Sequence, residues 1–341
     1  MMSNRVIPPG SVTTASTVAT APAATVLVIA YRMRETIAEA IASAFAQTIA
    51  CEIIVSDDCS GDGTLEAAQA AIADYVGPHR ISVRSTPRNL GLCGHLDELA
   101  RIASGDVLVF IAGDDVAYPQ RVARLLAEMA AHPDAMVVGS AVDDIDAGGK
   151  IIATRVRGQP LLLDQHWFLH RGKMASVLGA SMAVRRALIA ELPPLQGMVE
   201  DTMLTLRAAM LGECRCVPDA LLGYRRHDHN LNDWMHDRSE KNFAAYARSS
   251  RRLLTMYRNI AADQERCVAA RPNLAEDRKR LALELARMYR LEADMREALL
   301  DLPRSQWLAP LWRGLKHPGL RRKSAERALK LLLPRRWFGR K

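Results

Sequence analysis

Residues 24–142 alternate between short apolar stretches and amphipathic stretches, and this alternation constrains the fold more than any other feature. The apolar stretches are rich in Val and Ile, which is typical of strands buried on both faces. Strands alternating with helices predict right-handed crossovers and a largely parallel sheet, and so an α/β fold. The predicted strands are 24–31, 52–56, 80–84, 107–111 and 135–139, and the predicted helices are 35–48, 64–75, 95–103 and 119–131.

The fourth predicted strand is followed by two adjacent acids, Asp114 and Asp115. In open α/β sheets, ligands bind at the carboxyl ends of the strands. Two carboxylates at that edge repel each other unless a cation or hydrogen-bond donors satisfy them, and a divalent cation that also holds a diphosphate is one solution. The alternative interpretation is a solvated Asp-Asp turn.

The second predicted strand also ends in acids, within the segment from Asp57 to Thr64. Gly61 and Gly63 permit a tight turn there, and Thr64 can cap the following helix. Either Asp57 or Asp58 can accept hydrogen bonds from a ligand at this edge. An aspartate that only caps the turn is the alternative for each.

The regular alternation stops near residue 142, and the rest of the chain is organised differently. We expect a hairpin within 150–157, a strand entering a helix over 178–186, and a helix over 198–211 with Glu200 and Asp201 in its first turn. A strand over 215–222 and two long helices, 237–260 and 274–300, follow. The predicted divisions are a disordered segment 1–23, a catalytic-type domain 24–235, a helical extension 236–303 and a basic tail 304–341.

The order and spacing of several motifs over residues 24–232 resemble those of the family 2 glycosyltransferases, an inverting group with the GT-A fold. The motifs are Asp57–Thr64, Asn89–Gly91, Gly113–Asp115, Gly179–Arg186, Glu200–Asp201 and Tyr224–His227. The resemblance implies a Rossmann-like, mostly parallel sheet flanked by helices, here followed by a helical C-terminal extension. Gly113 departs from the family pattern, which often has an acid at that position.

The resemblance also implies a nucleotide-sugar donor, with a UDP- or dTDP-linked sugar expected. It assigns Asp114 to the ribose, and Asp115 with His227 to Mg²⁺ or Mn²⁺. His229 competes with His227 for the metal role. The residues expected to contact the donor are Ala30, Tyr31, Arg32, Asp57, Asp58, Arg88, Asn89 and Asp114.

The same resemblance makes Asp201 the general base that takes a proton from the acceptor hydroxyl, with Glu200 beside it. Acids in a first helical turn also complement the helix dipole, which is the structural alternative. The implied acceptor is a glycan or a lipid-linked sugar in surface polysaccharide biosynthesis. Trp167, Tyr224 and Trp234 are candidates for stacking on a sugar face.

Positive charge is concentrated at the C-terminus. Residues 304–341 contain twelve Lys or Arg and one acid, so they carry +11; the whole chain carries +8, which leaves −3 for the first 303 residues. Tryptophan and leucine interleaved with these cations suit an anionic membrane surface. The alternative is a helical cap that packs on the domain and exposes a basic face.

The expected location is the cytoplasm, with peripheral attachment to the inner face of the membrane. The six cysteines form no CxxC pair, and no export signal or membrane-spanning run of about 20 apolar residues is visible. Two alternative functions fit the sequence less well. A nucleotidyltransferase would be expected to have a glycine-rich loop after the first strand, where this chain has none, and binding of nucleic acid by the tail is disfavoured by the acidic body.

Overall fold

The computed structural model describes residues 23–156, 158–171, 176–227, 243–332 and 334, so the predicted disordered segment lies almost wholly outside it. The first elements alternate as the apolar pattern predicts. They are β1 (Ala24–Ala30), α1 (Ile37–Phe45), β2 (Glu52–Asp57), α2 (Thr64–Ile72), β3 (Arg80–Ser85), α3 (Gly91–Ile102) and β4 (Val107–Ala112). Strands β1, β2 and β4 are buried along nearly their whole length, because helices cover both faces.

Helix α3 begins at Gly91, four residues before its predicted start. The carboxylate of Asp58 accepts hydrogen bonds from the backbone N–H groups of Leu90 at 2.8 Å and Gly91 at 2.9 Å. These are groups that the start of a helix leaves without intrahelical partners. The Asn89 side chain also accepts the Gly91 N–H, at 3.1 Å, but the carboxylate that binds both N–H groups comes from the loop after β2, distant in sequence.

After β4 the elements become shorter and some strands run antiparallel. The 178–186 segment forms a 3₁₀ turn at Gly179–Ser181, then a strand and a short helix. The predicted hairpin is confirmed, because β7 pairs antiparallel with β6. The elements are β5 (Val116–Ala117), α4 (Arg121–Ala131), β6 (Ala135–Ile145), β7 (Ile151–Val156), β8 (Leu162–Leu163), α5 (Gln165–Arg171), β9 (Ala183–Arg185), α6 (Ala187–Ala190), α7 (Glu200–Leu211) and β10 (Glu213–Arg225).

The strands form one sheet in the order β3-β2-β1-β4-β9-β6-β10-β5. Its β3-β2-β1-β4 half is parallel, and β6 and β10 are parallel to each other. The register pairs Ala30 with Asp57 and Ile29 with Ala112, so β1, β2 and β4 end at the same edge. Helices α1, α2 and α4 cover one face, and α3 and α7 lie on the other.

Two long helices, α8 (Phe243–Ala270) and α9 (Glu276–Asp301), pack on the same face of the sheet as α3 and α7 and share its core. Helix α8 continues beyond the predicted end at residue 260, and residues 237–242 lie outside the described part of the chain. Arg207 of α7 and Asp263 of α8 form a fully buried ion pair, with N–O distances of 2.9 and 2.5 Å. This pair fixes α7 to the C-terminal helices.

The start of the basic tail forms α10 (Leu308–Lys316) and α11 (Arg321–Ala328), which pack on α9. Trp307 is completely buried and its indole donates a hydrogen bond to the Leu302 carbonyl at 2.9 Å, whereas Trp312 is 60% exposed. Arg327 makes two hydrogen bonds to the buried Glu292 carboxylate, at 2.7 and 2.5 Å. Among the described residues, no helix has the length and apolar character needed to cross a membrane.

Candidate active site

A cavity of about 390 Å³ lies at the sheet edge where β1, β2 and β4 end. Five carboxylates from three separate parts of the chain line it. The lining residues that the sequence singled out are Ala30, Tyr31, Asp58, Asn89, Asp114, Asp115, Glu200, Asp201 and His227. The structure therefore brings nine of the twelve predicted site residues to one cavity.

The other three predicted residues, Arg32, Asp57 and Arg88, do not line this cavity. The Asp57 carboxylate caps the turn after β2, accepting hydrogen bonds from the Ser60 N–H at 3.0 Å, the Ser60 hydroxyl and the Ser85 hydroxyl at 3.0 Å. Arg32 donates its backbone N–H to Ser60 Oγ at 2.7 Å and holds its guanidinium 5.2 Å from the ring centre of Tyr31. Arg88 is exposed.

Asp58 builds the part of the wall between β1 and α3. Besides the two backbone groups that start α3, its carboxylate accepts a hydrogen bond from the Thr86 hydroxyl at 3.0 Å. Its own N–H donates to the Ala30 carbonyl at 2.9 Å, and its carbonyl accepts from the Asn89 side chain at 3.2 Å. A carboxylate offers about four acceptor positions, so one remains for a ligand.

The adjacent acids after β4 are held in different ways. The Oδ2 atom of Asp114 lies 2.7 Å from Nε2 of His227. Asp115 is almost completely buried; its Oδ1 accepts the backbone N–H of Arg225 at 2.9 Å, and its Oδ2 has no hydrogen-bond partner among the described residues. Burial and the neighbouring charge of Asp114 raise the pKa of Asp115 well above its usual value.

Arg225, at the end of β10, fixes the segment that carries these acids. Its guanidinium donates to the Asp114 carbonyl at 2.7 Å, to the Ala147 carbonyl at 2.7 Å and to the Glu39 carboxylate at 2.5 Å. The residue belongs to the Tyr224–His227 motif, but no feature of the sequence predicts this role. Its partners come from three distant segments.

The residues at this edge fit a hard divalent cation such as Mg²⁺ or Mn²⁺. Among the described residues, Asp115 Oδ2 is a buried oxygen without a hydrogen-bond donor, and carboxylate oxygens are suitable ligands for these ions. Within the described ranges, no three His, Cys, Asp or Glu side chains are placed to hold a metal by themselves. A cation here would therefore take further ligands from the phosphates of a substrate, as Mg²⁺ commonly does.

Glu200 and Asp201 begin α7 and line the opposite wall. The Asp201 carboxylate accepts hydrogen bonds from the Ser176 hydroxyl at 2.9 Å and the Thr202 N–H at 2.5 Å, which fix its orientation. Burial raises the pKa of Asp201, and burial together with the charge of Asp201 raises the pKa of Glu200 to about 8. Because a carboxyl with a pKa of about 8 keeps its proton at neutral pH, Asp201 is the member of the pair suited to accept one.

The aromatic candidates for sugar stacking and the alternative histidine have different positions in the structure. Tyr224 lines the cavity, Trp167 packs edge-on against Phe168, and His229 and Trp234 lie outside the described residues. His95, which no sequence motif singles out, also lines the cavity, with Nε2 at 2.6 Å from Ser56 Oγ. Burial lowers the pKa of His95. A histidine on the apolar face of a helix gives no signal of a site.

Residues 25–192 match the family model described as Glycosyl transferase family 2. EpsE of Bacillus subtilis (strain 168) is 32% identical over 142 residues, which cover 41% of this chain and 48% of EpsE. The succinoglycan biosynthesis protein ExoO of Rhizobium meliloti (strain 1021) is 35% identical over 126 residues, covering 37% of this chain and 34% of ExoO. The matched stretch therefore spans half or less of each of these relatives.

Solved structures resemble this fold over most of its length. The structure of S. aureus TarS residues 1–349 with UDP has a TM-score of 0.56 and 16% identity, covering 90% of this chain and 89% of that one. The mannosyltransferase PcManGT from Pyrobaculum calidifontis with GDP-Man and Mn²⁺ has a TM-score of 0.52 and 17% identity, covering 92% and 88%. These structural similarities and the parallel sheet show that the chain has the GT-A fold. Through the family match over residues 25–192, the chain belongs to glycosyltransferase family 2.

Proposed function

We propose that this chain transfers a sugar from a nucleotide-sugar donor to a glycan or lipid-linked acceptor, with inversion at the anomeric carbon. The observation that carries the proposal is the convergence of five carboxylates from three parts of the chain on one cavity. Gathering acids in a partly buried site is unfavourable for folding, because each charge loses hydration and repels the others. Such clusters are characteristic of sites that bind cations or move protons.

The nucleoside part of a UDP- or dTDP-linked donor is proposed to lie near Ala30, Tyr31, Asp58 and Asn89. Tyr31 is 42% exposed and offers a ring face for stacking, and Asp58 retains one acceptor position for an N–H of the base. Asp114 is proposed to contact the ribose. Arg32 and Asp57 would act indirectly by holding the loops at the strand ends, and Arg88 would act from the exposed rim.

The diphosphate and a divalent cation are proposed to lie at the end of β4. Asp115 would hold the cation, with the Asp114–His227 pair beside it. When bound, Mg²⁺ or Mn²⁺ would neutralise the negative charge that develops on the departing diphosphate. The neighbour PcManGT was solved with GDP-Man and Mn²⁺, and TarS with UDP, which supports testing both nucleosides.

Asp201 is the proposed general base. As the acceptor oxygen attacks the anomeric carbon, the carboxylate takes the hydroxyl proton while the bond from the sugar to the diphosphate breaks on the opposite side. Ser176 and Thr202 hold the carboxylate for this step. Glu200 keeps a second, more weakly acidic carboxyl next to it, and Tyr224 is the aromatic residue that remains a candidate for acceptor contact.

The biological setting is proposed to be surface polysaccharide biosynthesis, supported by the similarity to ExoO, which is named for succinoglycan biosynthesis. We further propose that residues 24–235 form the catalytic domain, that 236–303 are a helical extension, and that 304–341 meet an anionic membrane surface on its cytoplasmic side. The exposed Trp312 beside Lys316 supports the last point, since the ammonium lies 5.1 Å from the indole centre.

The decisive experiment is a donor screen. The protein is incubated with UDP-, dTDP- and GDP-linked sugars, with Mn²⁺ or with EDTA, and the released nucleoside diphosphate is measured with and without glycan acceptors. We expect release from one nucleotide class, dependent on metal, and a product whose anomeric configuration is inverted by NMR. Absence of release from every donor, or release unaffected by EDTA, contradicts the proposal.

A further inference from the structure

Arg121 is a completely buried cation in a position that is unfavourable for helix stability. It is the first residue of α4, where the helix dipole is positive and disfavours another positive charge. Burial lowers its pKa to about 10, so the guanidinium is still charged at neutral pH. A charge buried at this place calls for a compensating interaction.

The side chain of Arg121 joins two walls of the cavity. Its Nη2 donates hydrogen bonds to the Phe110 carbonyl at 2.7 Å and to the Ala180 carbonyl at 2.6 Å. Phe110 belongs to β4, the strand that leads to Asp114 and Asp115. Ala180 belongs to the 3₁₀ turn Gly179–Ser181, on the side of the cavity formed by α7.

The 3₁₀ turn is in close contact with the two acids of α7. A Cβ atom placed on Gly179 would collide with Glu200 Oε1 and would lie 3.5 Å from Asp201 Cβ. The turn therefore cannot move toward α7 without displacing those carboxylates. Through this contact, Arg121 connects the strand that carries the first pair of acids to the helix that carries the second.

Two nitrogens of Arg121, Nε and Nη1, have no hydrogen-bond partner among the described residues, and neither does Asp115 Oδ2. The two side chains are thus not bonded to each other, although their opposite charges attract. Arg121 supplies positive charge behind Asp115 without occupying its free oxygen.

We propose that Arg121 is a positioning residue that sets the separation between the acids at the end of β4 and the Glu200–Asp201 pair. This inference rests on the proposed function, in which the first pair holds the donor and the second activates the acceptor. Reaction between two bound groups depends steeply on their alignment, and a misplacement of about 1 Å can lower the rate about 10²-fold.

The test compares Arg121→Gln with Arg121→Lys, which keeps the positive charge and retains N–H donors at the end of the side chain. The matched control is Arg124→Gln. Arg124 lies one turn further along α4, and its side chain pairs with Asp219 and Glu128 outside the cavity. We expect Arg121→Gln to lower kcat at least about tenfold, while the Kd for UDP with Mn²⁺, measured by calorimetry, changes less than about threefold. Arg121→Lys should recover most of the lost kcat, and Arg124→Gln should match the wild type.

A folded Arg121→Gln variant with wild-type kcat overturns the inference. An equal loss of kcat and of UDP affinity also overturns it, because Arg121 would then affect only the binding of the donor. If thermal melting shows that Arg121→Gln does not fold, Gly179→Ala replaces it in the test. That change disturbs the 3₁₀ turn while leaving Arg121 intact. An unaltered kcat in Gly179→Ala also overturns the inference. A wild-type enzyme that transfers no sugar refutes the proposed function itself, and the inference with it.

Discussion

Nε2 of His227 lies 2.7 Å from Oδ2 of Asp114, so the residues after β10 and β4 meet at the cavity wall. The contact restrains Asp114, whereas the neighbouring Asp115 keeps Oδ2 without a partner among the described residues. The two adjacent acids are therefore not equivalent. This difference supports the proposal that Asp115 holds the cation and that Asp114 makes hydrogen bonds.

Asp115→Asn should remove the effect of metal on nucleotide binding. Asparagine keeps an oxygen to accept the Arg225 N–H but lacks the second anionic oxygen. We expect the affinity for UDP in the presence of Mn²⁺ to fall at least about tenfold, because even indirect supports of a metal site contribute about 10–100-fold to affinity. Calorimetry with and without Mn²⁺ measures this.

The control for Asp115→Asn is Asp106→Asn, at the opposite end of the same strand, where the side chain is 91% exposed. It removes the same charge from the chain and should leave UDP binding unchanged. Equal affinities for the Asp115 variant and the wild type would exclude Asp115 from the metal site.

Asp201→Asn should abolish proton transfer while leaving donor binding intact. The asparagine oxygen can still accept the Thr202 N–H, so the start of α7 should keep its shape. We expect kcat to fall at least about 10²-fold, as for loss of a general base, with the Kd for UDP and Mn²⁺ within about twofold of wild type. Glu213→Gln, outside the cavity, is the control; turnover near the wild-type rate in Asp201→Asn would refute its role.

The sequence predicted the alternating half of the fold because each signal there is local. Apolar runs of strand length and amphipathic runs of helix length follow one another, and chirality then dictates a parallel sheet. The same reasoning placed the acids that follow β2 and β4 at the carboxyl ends of strands, where ligands bind. The register between β1 and its two neighbours confirms that the strands end together.

Contacts between distant residues were beyond the reach of sequence reasoning. Asp57 and Asp58 are adjacent and chemically identical, yet one caps its own turn and the other lines the cavity. Arg121 and Arg225 look like ordinary charged residues, and their functions depend on carbonyls contributed by other elements. A local pattern cannot reveal which segment supplies the partner.

Glu200→Gln should stabilise the protein in alkaline solution. The pKa of Glu200 is raised to about 8 in the folded chain, above its ordinary value of 4.5, so the folded state binds more protons than the unfolded state between these limits. The contribution of Glu200 to the stability of the wild type therefore declines as pH rises from about 4.5 to 8. Glutamine does not titrate. The free energy of unfolding of the variant minus that of the wild type should therefore be larger at pH 8 than at pH 5, by more than about 1 kcal/mol.

Urea unfolding of both proteins at pH 5 and pH 8 measures this difference. Glu35→Gln is the control, since that side chain is exposed, and its stability should follow the wild type at both values. If the stabilities of wild type and Glu200→Gln differ by the same amount at pH 5 and pH 8, the carboxyl of Glu200 has no raised pKa in the folded protein.

Arg225→Met should destabilise the fold and loosen the Asp114–Asp115 segment. The change leaves the carbonyls of Asp114 and Ala147 without their buried donor, and each unsatisfied group costs about 1–3 kcal/mol. We expect the free energy of unfolding to fall by about 3 kcal/mol in urea titrations. Arg226→Met, at a more exposed neighbour, should lower the free energy of unfolding by no more than about 1 kcal/mol. Equal effects of the two changes would contradict the conclusion that Arg225 fixes the Asp114–Asp115 segment.

The membrane proposal needs a surface substitution rather than a deletion. Removing residues 304–341 would take away the buried Trp307 and the Arg327–Glu292 pair, and so damage the packing on α9. Leu308, Trp312 and Lys316 recur every four residues along α10 and share one face. Trp312 is the largest exposed apolar side chain on that face.

Trp312→Glu should therefore weaken binding to anionic vesicles without changing the melting temperature. A large apolar side chain entering a membrane contributes about 1.5–3 kcal/mol, and the added negative charge opposes an anionic surface, so the bound fraction should fall at least about fivefold in flotation with phosphatidylglycerol vesicles. Val76→Glu, at a position 97% exposed, adds the same charge elsewhere and should float like the wild type. Vesicles of phosphatidylcholine alone should bind neither protein. Equal flotation of Trp312→Glu and Val76→Glu on the anionic vesicles would mean that this face of α10 does not meet the membrane.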